Sequence, residues 1–494
     1  MPQPVHNAIV TPHNDPHLCL KPLKFLPRGD KALVVNFVGD YKIITAADFS
    51  ALLTGAIKEG SDLYNDLQGL QIISSGDPET DIEILSTRYR TKKAYLNDFT
   101  TLHMVVTTLR CNQQCRYCHA TAKKEDDQPA LYDMSIETAE KTADMIMKSP
   151  SPVIKVEFQG GDSSLNMPVT RVIVNRVETI NNELKKDVEF VICTNLLNVD
   201  SEMLDYWRAH KFSISISLDG PQDIHDANRI DCGEKGTYER VVRNLAIVRE
   251  HIGGDRVGAL MTATRKSLGR FSEIVDEYVR LGFDQIVFRP LNPYGRCVTN
   301  WDELGYSIED YVESYKDGLS HILELNRKGV RMVEGYTRLL LSRMLTPYPT
   351  GYVDLQSPAG AGISGAIYDY DGRVYACDEG RMLSEMGDEK LFLGTIKDEY
   401  RTVFNGESIR GIIKSSILET TPMCHDCAYR MWCGADPARH YATQHDFIGH
   451  KALSVFCKKH KAIFDYLLGL LESDDETRNI LFSWVGGRVR GGVK

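Results

Sequence analysis

Between residues 101 and 290 apolar β-rich runs alternate with amphipathic helical stretches, and this alternation narrows the choice of fold more than any other feature. The runs are LHMVVTTL (102–109), VIKVEF (153–158), VEFVICT (188–194), FSISISL (212–218), RVGALMT (256–262) and DQIVFRP (284–290). Helical candidates such as SIETAEKTADMIMK (135–148), VVRNLAIVREHI (241–252) and RFSEIVDEYVRLG (270–282) lie between them. Strands separated by crossover helices imply an α/β fold with a parallel sheet, open or closed as a barrel. In such sheets the loops at the C-terminal strand ends build the site. The unusual residues fall there. Cys111, Cys115 and Cys118 follow the first strand, and Gly160-Gly161-Asp162 follows the second. Thr194-Asn195 ends the third, Ser217-Leu218-Asp219-Gly220-Pro221 the fourth, and Arg289-Pro290 the sixth. Glycine and aspartate end strands in any protein because they form turns. Their alignment with three cysteines on one rim is what marks a site.

The chain has 494 residues, enough for about three units. Residues 1–20 read as a loose N-terminus. Residues 21–98 read as a small α+β unit, in which KALVVNF and YKIIT alternate like strands and AADFSALLTGAI has helical spacing. Residues 99–305 are the partial (β/α)6 TIM-like barrel, and 306–365 a helical connector. Residues 366–460 form a cysteine-bearing domain that opens with a hairpin turned at Asp371-Gly372. An amphipathic helix, KAIFDYLLGLLES (461–473), and a frayed Gly/Arg tail complete 461–494.

Apolar residues make up 42% of the chain and charged residues 26%, an ordinary globular balance. The formal charge of −10 argues against a broad nucleic-acid surface. No apolar run is long enough to span a bilayer, and the N-terminus has neither a basic nor an apolar segment of the signal-peptide kind. A cytoplasmic protein with no nucleic-acid or membrane partner is the expectation.

The 12 cysteines are clustered, and tight clusters in such a chain mean metal more often than disulfide. Cys111-x3-Cys115-x2-Cys118 places three thiolates on one loop without a fourth ligand, which suits a [4Fe–4S] cluster with one iron left open. Cys424-x2-Cys427-x5-Cys433 with Cys457 makes a set of four, which suits a fully ligated [4Fe–4S] cluster. Zinc held by four cysteines is the alternative for this second set. Cys19, Cys193, Cys232 and Cys297 have no companions, and Cys193, in an apolar strand, reads as core.

The first spacing, its place after the first strand, and Tyr117 just before the third cysteine resemble the radical SAM superfamily. The resemblance implies a radical SAM barrel whose cluster binds S-adenosylmethionine and cleaves it reductively to a 5′-deoxyadenosyl radical. Gly160, Gly161 and Asp162 occupy the place of that superfamily's Gly-Gly-Glu, which holds the methionine ammonium. Asp162 is one methylene shorter. Asn195 and Ser217 are candidate contacts to the SAM carboxylate or ribose, and Arg229 to the carboxylate. The second cysteine set resembles a SPASM domain with one auxiliary cluster in place of two. Ala359 and Pro437 stand at two of the positions expected to ligate the other, leaving Cys377 stranded. Asp378 is the candidate catalytic base, by resemblance to sulfatase-maturing relatives.

Longer strings resemble a narrower group, the radical SAM/SPASM maturases of the His-Xaa-Ser peptide system. They include YRTKKAYL (89–96), SPSPVIKVEFQGG (149–161), SLDGPQDIHDANR (217–229) and CGADPARHYATQHDFIGH (433–450). The segment Gly160-Gly161-Asp162-Ser163-Ser164 departs from that group's Gly-Gly-Glu-Pro-Leu. The resemblance implies hydrogen abstraction from a ribosomally made precursor peptide. It also implies a flavodoxin- or ferredoxin-type electron donor, a second radical SAM maturase as partner, and a winged-helix-like N-terminal unit that binds a leader peptide by strand addition. Two alternatives stay open. One is a radical SAM enzyme acting on a small molecule or on a protein such as a sulfatase; the other is a non-catalytic metal-binding regulator.

Overall fold

The computed structural model describes residues 19–74 and 76–486. Residues 1–18 of the expected loose N-terminus and the tail from residue 487 lie outside the described residues. Strands β1 (Leu23–Arg28), β2 (Lys31–Asn36) and β3 (Tyr41–Thr45) form an antiparallel sheet in that order. β1 has no counterpart among the runs picked out in the sequence. The period-two pattern of β2 sorts its side chains between two cores. Val34 packs with Leu52 of α1 (Ala46–Thr54) and Leu67 of α2 (Asp62–Gly69), while Leu33 and Val35 join the main core of the molecule. Helix α3 (Pro78–Lys92) then leads to the large sheet; Asp77 caps it by accepting from the Glu79 N–H, with Pro78 in its first turn.

Among the described residues the large sheet has nine strands. Its parallel set comprises β4 (Leu102–Thr108), β5 (Val153–Gly160), β6 (Asp187–Thr194), β7 (Ser213–Ser217), β8 (Val257–Thr262) and β9 (Phe288–Arg289), each hydrogen-bonded to the next. The links include α4 (Ile136–Met147), α5 (Met167–Leu184), α6 (Ser201–Ala209), α7 (Gln222–Asn228), α8 (Tyr238–Ile252) and α9 (Phe271–Arg280). The buried faces of α5, α8 and α9 (Ile173, Val177; Val241, Val248; Ile274, Val275) join the main core with Ile154, Ile192 and Ile214 of the strands.

The sixth strand departs from the expected continuous run over 284–290. Gln285–Ile286 pairs with the short strand Val333–Glu334, and only Phe288–Arg289 pairs with β8. The cause is the buried Glu334 carboxylate, which accepts the Phe288 N–H at 3.1 Å and the Tyr315 hydroxyl at 2.8 Å. It diverts a backbone donor from the ladder. The connector helices α10 (Ile308–Arg327) and α11 (Gly335–Leu345) pack into the same core through Tyr311, Tyr315, Leu319 and Leu340.

The hairpin of β10 (Gly365–Tyr368) and β11 (Arg373–Tyr375) turns at Asp371-Gly372, where Gly372 has φ +87°. Its position differs from that of a strand pair in a separate domain. β10 lies parallel beside β4, so β10, β11 and β12 (Phe392–Thr395) extend the barrel sheet. Helices α12 (Asp378–Glu385) and α13 (Glu407–Ser416) follow, then the second cysteine segment, α14 (Pro437–Gln444), α15 (Val455–Leu471) and α16 (Asp475–Trp484). α15 starts at Val455, not at residue 461, because Ser454 Oγ accepts the Cys457 N–H at 3.1 Å and caps it there. Cys457 is thereby fixed in the first turn.

The N-terminal sheet docks on the C-terminal cysteine segment. Trp432, fully buried, donates its indole N–H to the Gly39 carbonyl at 2.9 Å and meets the Tyr41 ring edge-on. Lys24 pairs with Asp426, and Lys31 with Glu472. Among the described residues no helix is long and apolar enough to cross a membrane.

Candidate active site at the rim of the sheet

The loop after β4 carries Cys111, Cys115 and Cys118 to the C-terminal rim, where it lies against the glycines that end β5. Gly160 has φ +121°, a conformation that side chains resist. A Cβ on Gly161 would stand 2.1 Å from the Arg110 carbonyl oxygen. Gly161 N–H donates to Thr108 O and Asp162 N–H to Arg110 O, both at 2.9 Å. The two glycines thus let the rim of β5 close onto the backbone of the cysteine loop.

Asp162 is buried, and its carboxylate is well occupied by the protein. It accepts from Ser164 N–H at 3.0 Å, Asn195 N–H at 2.8 Å and the Thr194 hydroxyl at 3.0 Å. Burial nevertheless pushes its pKa upward against those hydrogen bonds. It ties the ends of β5 and β6 together. Asn195 in turn directs its amide N–H groups to Asn112 Oδ1 at 2.7 Å and Cys111 Sγ at 3.6 Å. Ser217 ends β7, in register with Leu260 of β8.

Tyr117 and Arg229 meet on Asp219. The Tyr117 hydroxyl donates to the Asp219 carboxylate at 2.8 Å, Arg229 Nε pairs with it at 3.2 Å, and the guanidinium lies 5.2 Å from the Tyr117 ring centre. Asn228 and the Thr262 N–H also donate to Asp219. The carboxylate is fully buried, and it holds three elements to the cysteine loop. Asp219 stands in the string SLDGPQDIHDANR without a role assigned to it from sequence; the signal was an acid at a strand end, indistinguishable there from a turn-former.

Two of the thiols, Cys111 and Cys115, are shifted by their surroundings. Burial, the Asp162 charge and the other two cysteines raise Cys111 well above its ordinary range. Burial raises Cys115 to about 11, against the pull of Arg229. Thiols in such a setting keep their protons until a metal displaces them. Each sulfur also faces an N–H: Gln113 N–H at 3.4 Å for Cys111, Arg229 Nη1 at 3.7 Å for Cys115, and Ala122 N–H at 3.5 Å for Cys118. N–H groups aimed at ligating sulfur stabilise the thiolate and tune a cluster's potential. Asn112 Nδ2 and Gln159 Nε2 are buried on the same rim without protein partners. This donor set fits an iron–sulfur cluster and a polar ligand beside it. Among the described residues no three His, Cys, Asp or Glu groups close around a single ion. A cubane spreads its thiolates over separate irons, so its ligands stand further apart than those of one ion.

The second set gathers likewise. Cys433 is raised by burial and then by Cys427, Cys457 and Cys424, and Cys424 is raised to about 11 by burial with Cys427 and Cys457 close by. Cys377 lies apart from both sets. It is buried with Tyr294, Ala359 and Ala438 in a small apolar cluster, and Pro437 opens α14, so these positions are filled by packing.

Inside the sheet, Glu157 of β5 is raised by burial and feels Asp378 and Arg289. Cys193 is not in the apolar core; its thiol lies with Glu157 and Ser215 on the polar side of the strands. Asp378 opens α12, and burial raises it against the charges of Arg381 and Arg289. Glu157, Arg289 and Asp378 thus act on one another electrostatically. His119, next after Cys118, is held neutral, pushed down to about 3 by burial and by Arg289, Arg439 and Arg229.

Comparison with known proteins agrees with this geometry. Residues 105–286 match the radical SAM superfamily. Over 369 residues the chain is 21% identical to the cysteine-type anaerobic sulfatase-maturating enzyme of Clostridium perfringens (strain 13 / Type A), covering 72% of this chain and 93% of the relative. It is 23% identical over 383 residues to the antilisterial bacteriocin subtilosin biosynthesis protein AlbA of Bacillus subtilis (strain 168), covering 76% and 74%. Among solved structures, native anSMEcpe with bound AdoMet superposes with a TM-score of 0.64 at 18% identity, covering 77% of this chain and 99% of that one. Streptococcus suis SuiB bound to precursor peptide SuiA superposes with a TM-score of 0.51 at 13% identity, covering 89% and 99%.

Proposed function

Because residues 105–286 form a domain of the radical SAM superfamily, we propose that this chain abstracts hydrogen from a ribosomally made peptide, as a maturase of the His-Xaa-Ser type. The observation that carries the reading is the cysteine loop on the rim, each sulfur facing an N–H. When bound, a [4Fe–4S] cluster with S-adenosylmethionine supplies the one-electron cleavage that yields the 5′-deoxyadenosyl radical.

The chain's own residues do the rest. Cys111, Cys115 and Cys118 ligate, and Arg229 offsets the negative charge beside Cys115 while Asp219 and Tyr117 fix its direction. Gly160 and Gly161 bring backbone against the loop. Asp162 holds β5 and β6 together, so its contribution to SAM binding is made chiefly through the position of Asn195 and the Asn112 amide. Ser217 completes the rim. Asp378 is the base: burial raises its carboxyl, so it holds a proton more readily than an exposed aspartate, while Arg381 and Arg289 favour its ionised form. Cys424, Cys427, Cys433 and Cys457 hold one auxiliary [4Fe–4S] cluster, and residues 21–98 receive the leader peptide.

The resemblance of this chain to SuiB, whose structure holds a precursor peptide, and to AlbA supports a peptide substrate. A second reading, a sulfatase-maturing enzyme, is favoured by the span of the match to the Clostridium perfringens relative. The test incubates anaerobically reconstituted enzyme with SAM, reductant and either a His-Xaa-Ser precursor or a sulfatase-derived peptide. Mass loss or rearrangement in the first peptide alone, with matching 5′-deoxyadenosine, supports the maturase. Change in the second alone selects the sulfatase-type activity.

A further inference from the structure

The chain leaves the first cysteine set through a strained turn. Thr121 has φ +57°, a left-handed conformation that a β-branched residue resists. Its hydroxyl is buried without a hydrogen-bond partner among the described residues. Both features cost stability, so the turn persists only because its surroundings impose it. Two arginines do so, one on the peptide before Thr121 and one on the peptide after it. Arg381 of α12 is 0% exposed and donates from Nη2 to the Ala120 carbonyl at 3.0 Å. Its Nε and Nη1 have no hydrogen-bond partner among the described residues, and Nε lies 3.8 Å from the Asp378 carboxylate. Arg296 holds the far side of the turn. Its Nη2 donates to the Ala122 carbonyl at 2.7 Å, and its backbone N–H donates to the Cys118 carbonyl at 2.9 Å. Gly295 permits that approach, since a Cβ there would stand 2.5 Å from the Cys118 carbonyl oxygen. Glu385, one turn beyond Arg381 on α12, pairs with Lys123 at 3.3 Å and ties the same helix to the loop exit.

What the turn achieves is local. The reversal at Thr121 points the Ala122 N–H back at Cys118 Sγ, 3.5 Å away. An extended Thr121 would carry that N–H off the sulfur. We propose that Arg381 and Arg296 are positioning residues for the rim site, holding Thr121 in its left-handed turn so that the Ala122 N–H stays on the Cys118 sulfur. The inference deepens the radical SAM reading and rests on it for the cluster at Cys118; the clamp itself rests on the hydrogen bonds above. An N–H donated to a ligating sulfur favours the reduced, more negative state of a cluster, so the clamp raises the potential at the rim.

The test is an EPR-monitored redox titration of the reconstituted full-length holoenzyme, following the cluster signal that changes shape when SAM is added. Wild type is compared with Arg381→Met, Arg296→Met, Thr121→Gly and the Thr121→Gly/Arg381→Met double variant, with iron content and melting temperature as controls for folding. Arg381→Met should lower the potential of the SAM-sensitive signal by ~59 mV or more, a tenfold bias against one-electron reduction. Arg296→Met should shift it the same way. Thr121→Gly alone should leave it at the wild-type value, because glycine adopts the left-handed conformation freely while both arginines still hold the carbonyls. The double variant separates the turn from the bare charge of Arg381. Glycine keeps the turn accessible without the clamp, so about half of the shift or more should be recovered. A shift that stays whole means that Arg381 acts by its charge alone and overturns the proposal. An unchanged potential in an Arg381→Met protein that keeps its rim irons overturns it too. If Arg381→Met fails to fold, Arg296→Met and its own double variant with Thr121→Gly decide in the same way. A wild type with no SAM-sensitive signal sinks the radical SAM reading and the proposal with it; a wild-type signal with unshifted variants leaves that reading standing and removes the clamp.

Discussion

At the scale of single residues, Asp219 is the keystone of the rim. Replacing it by alanine leaves Arg229 and the Tyr117 hydroxyl buried and unpaired, and breaking a buried pair in this way costs about 3–5 kcal/mol. Urea denaturation of the Asp219→Ala protein should show that loss. Gly161→Ala acts differently. Its Cβ would collide with the Arg110 carbonyl and push the cysteine loop off β5. About four irons per chain should be lost from this protein on reconstitution, with the C-terminal set unaffected. Asp369 carries a pH signature. It is 1% exposed, and burial raises its carboxyl to about 6 from an ordinary 3.8. Between those values the folded state binds more protons than the unfolded one, so this group's contribution to stability falls as pH rises from about 4 to about 6. Asp369→Asn should flatten that part of the stability–pH curve, and urea midpoints at pH 4.5 and pH 7 check it.

At the scale of elements, the hairpin β10–β11 and the N-terminal sheet decide how the units join. β10 adds to the barrel sheet beside β4, so the segment carrying Cys377 and Asp378 is tied to that sheet by backbone hydrogen bonds. The N-terminal sheet rests on Trp432, which lies between Cys427 and Cys433. Removing that ring in Trp432→Ala should cost about 3–5 kcal/mol by cavity formation, with the hydrogen bond to Gly39 lost as well. The same variant should lose metal from the C-terminal set before the rim set, as metal analysis on each purified protein would show.

For the whole molecule, the two cysteine sets are held by separate segments, residues 111–118 and 424–457. Anaerobic reconstitution should yield about eight irons per chain. A Cys111/Cys115/Cys118→Ala triple variant should hold about four and form no 5′-deoxyadenosine. About four irons with one zinc in the wild type would instead make residues 424–457 a structural zinc site and leave the rim chemistry in place.

The strand and helix periods, the cysteine spacings and the glycines at strand ends were legible in the sequence because each is a local pattern with a local cause. Parallel strands order themselves by crossover geometry, and Cys111-x3-Cys115-x2-Cys118 needs only one loop to bring its thiols together. The partners of Asp219, the break at Val287 and the polar surroundings of Cys193 were not legible. Each depends on residues separated by tens to hundreds of positions, such as Glu334 taking the Phe288 N–H or Tyr117 reaching Asp219. Burial sets their charge and hydrogen-bonding states, and burial exists only once the chain has packed.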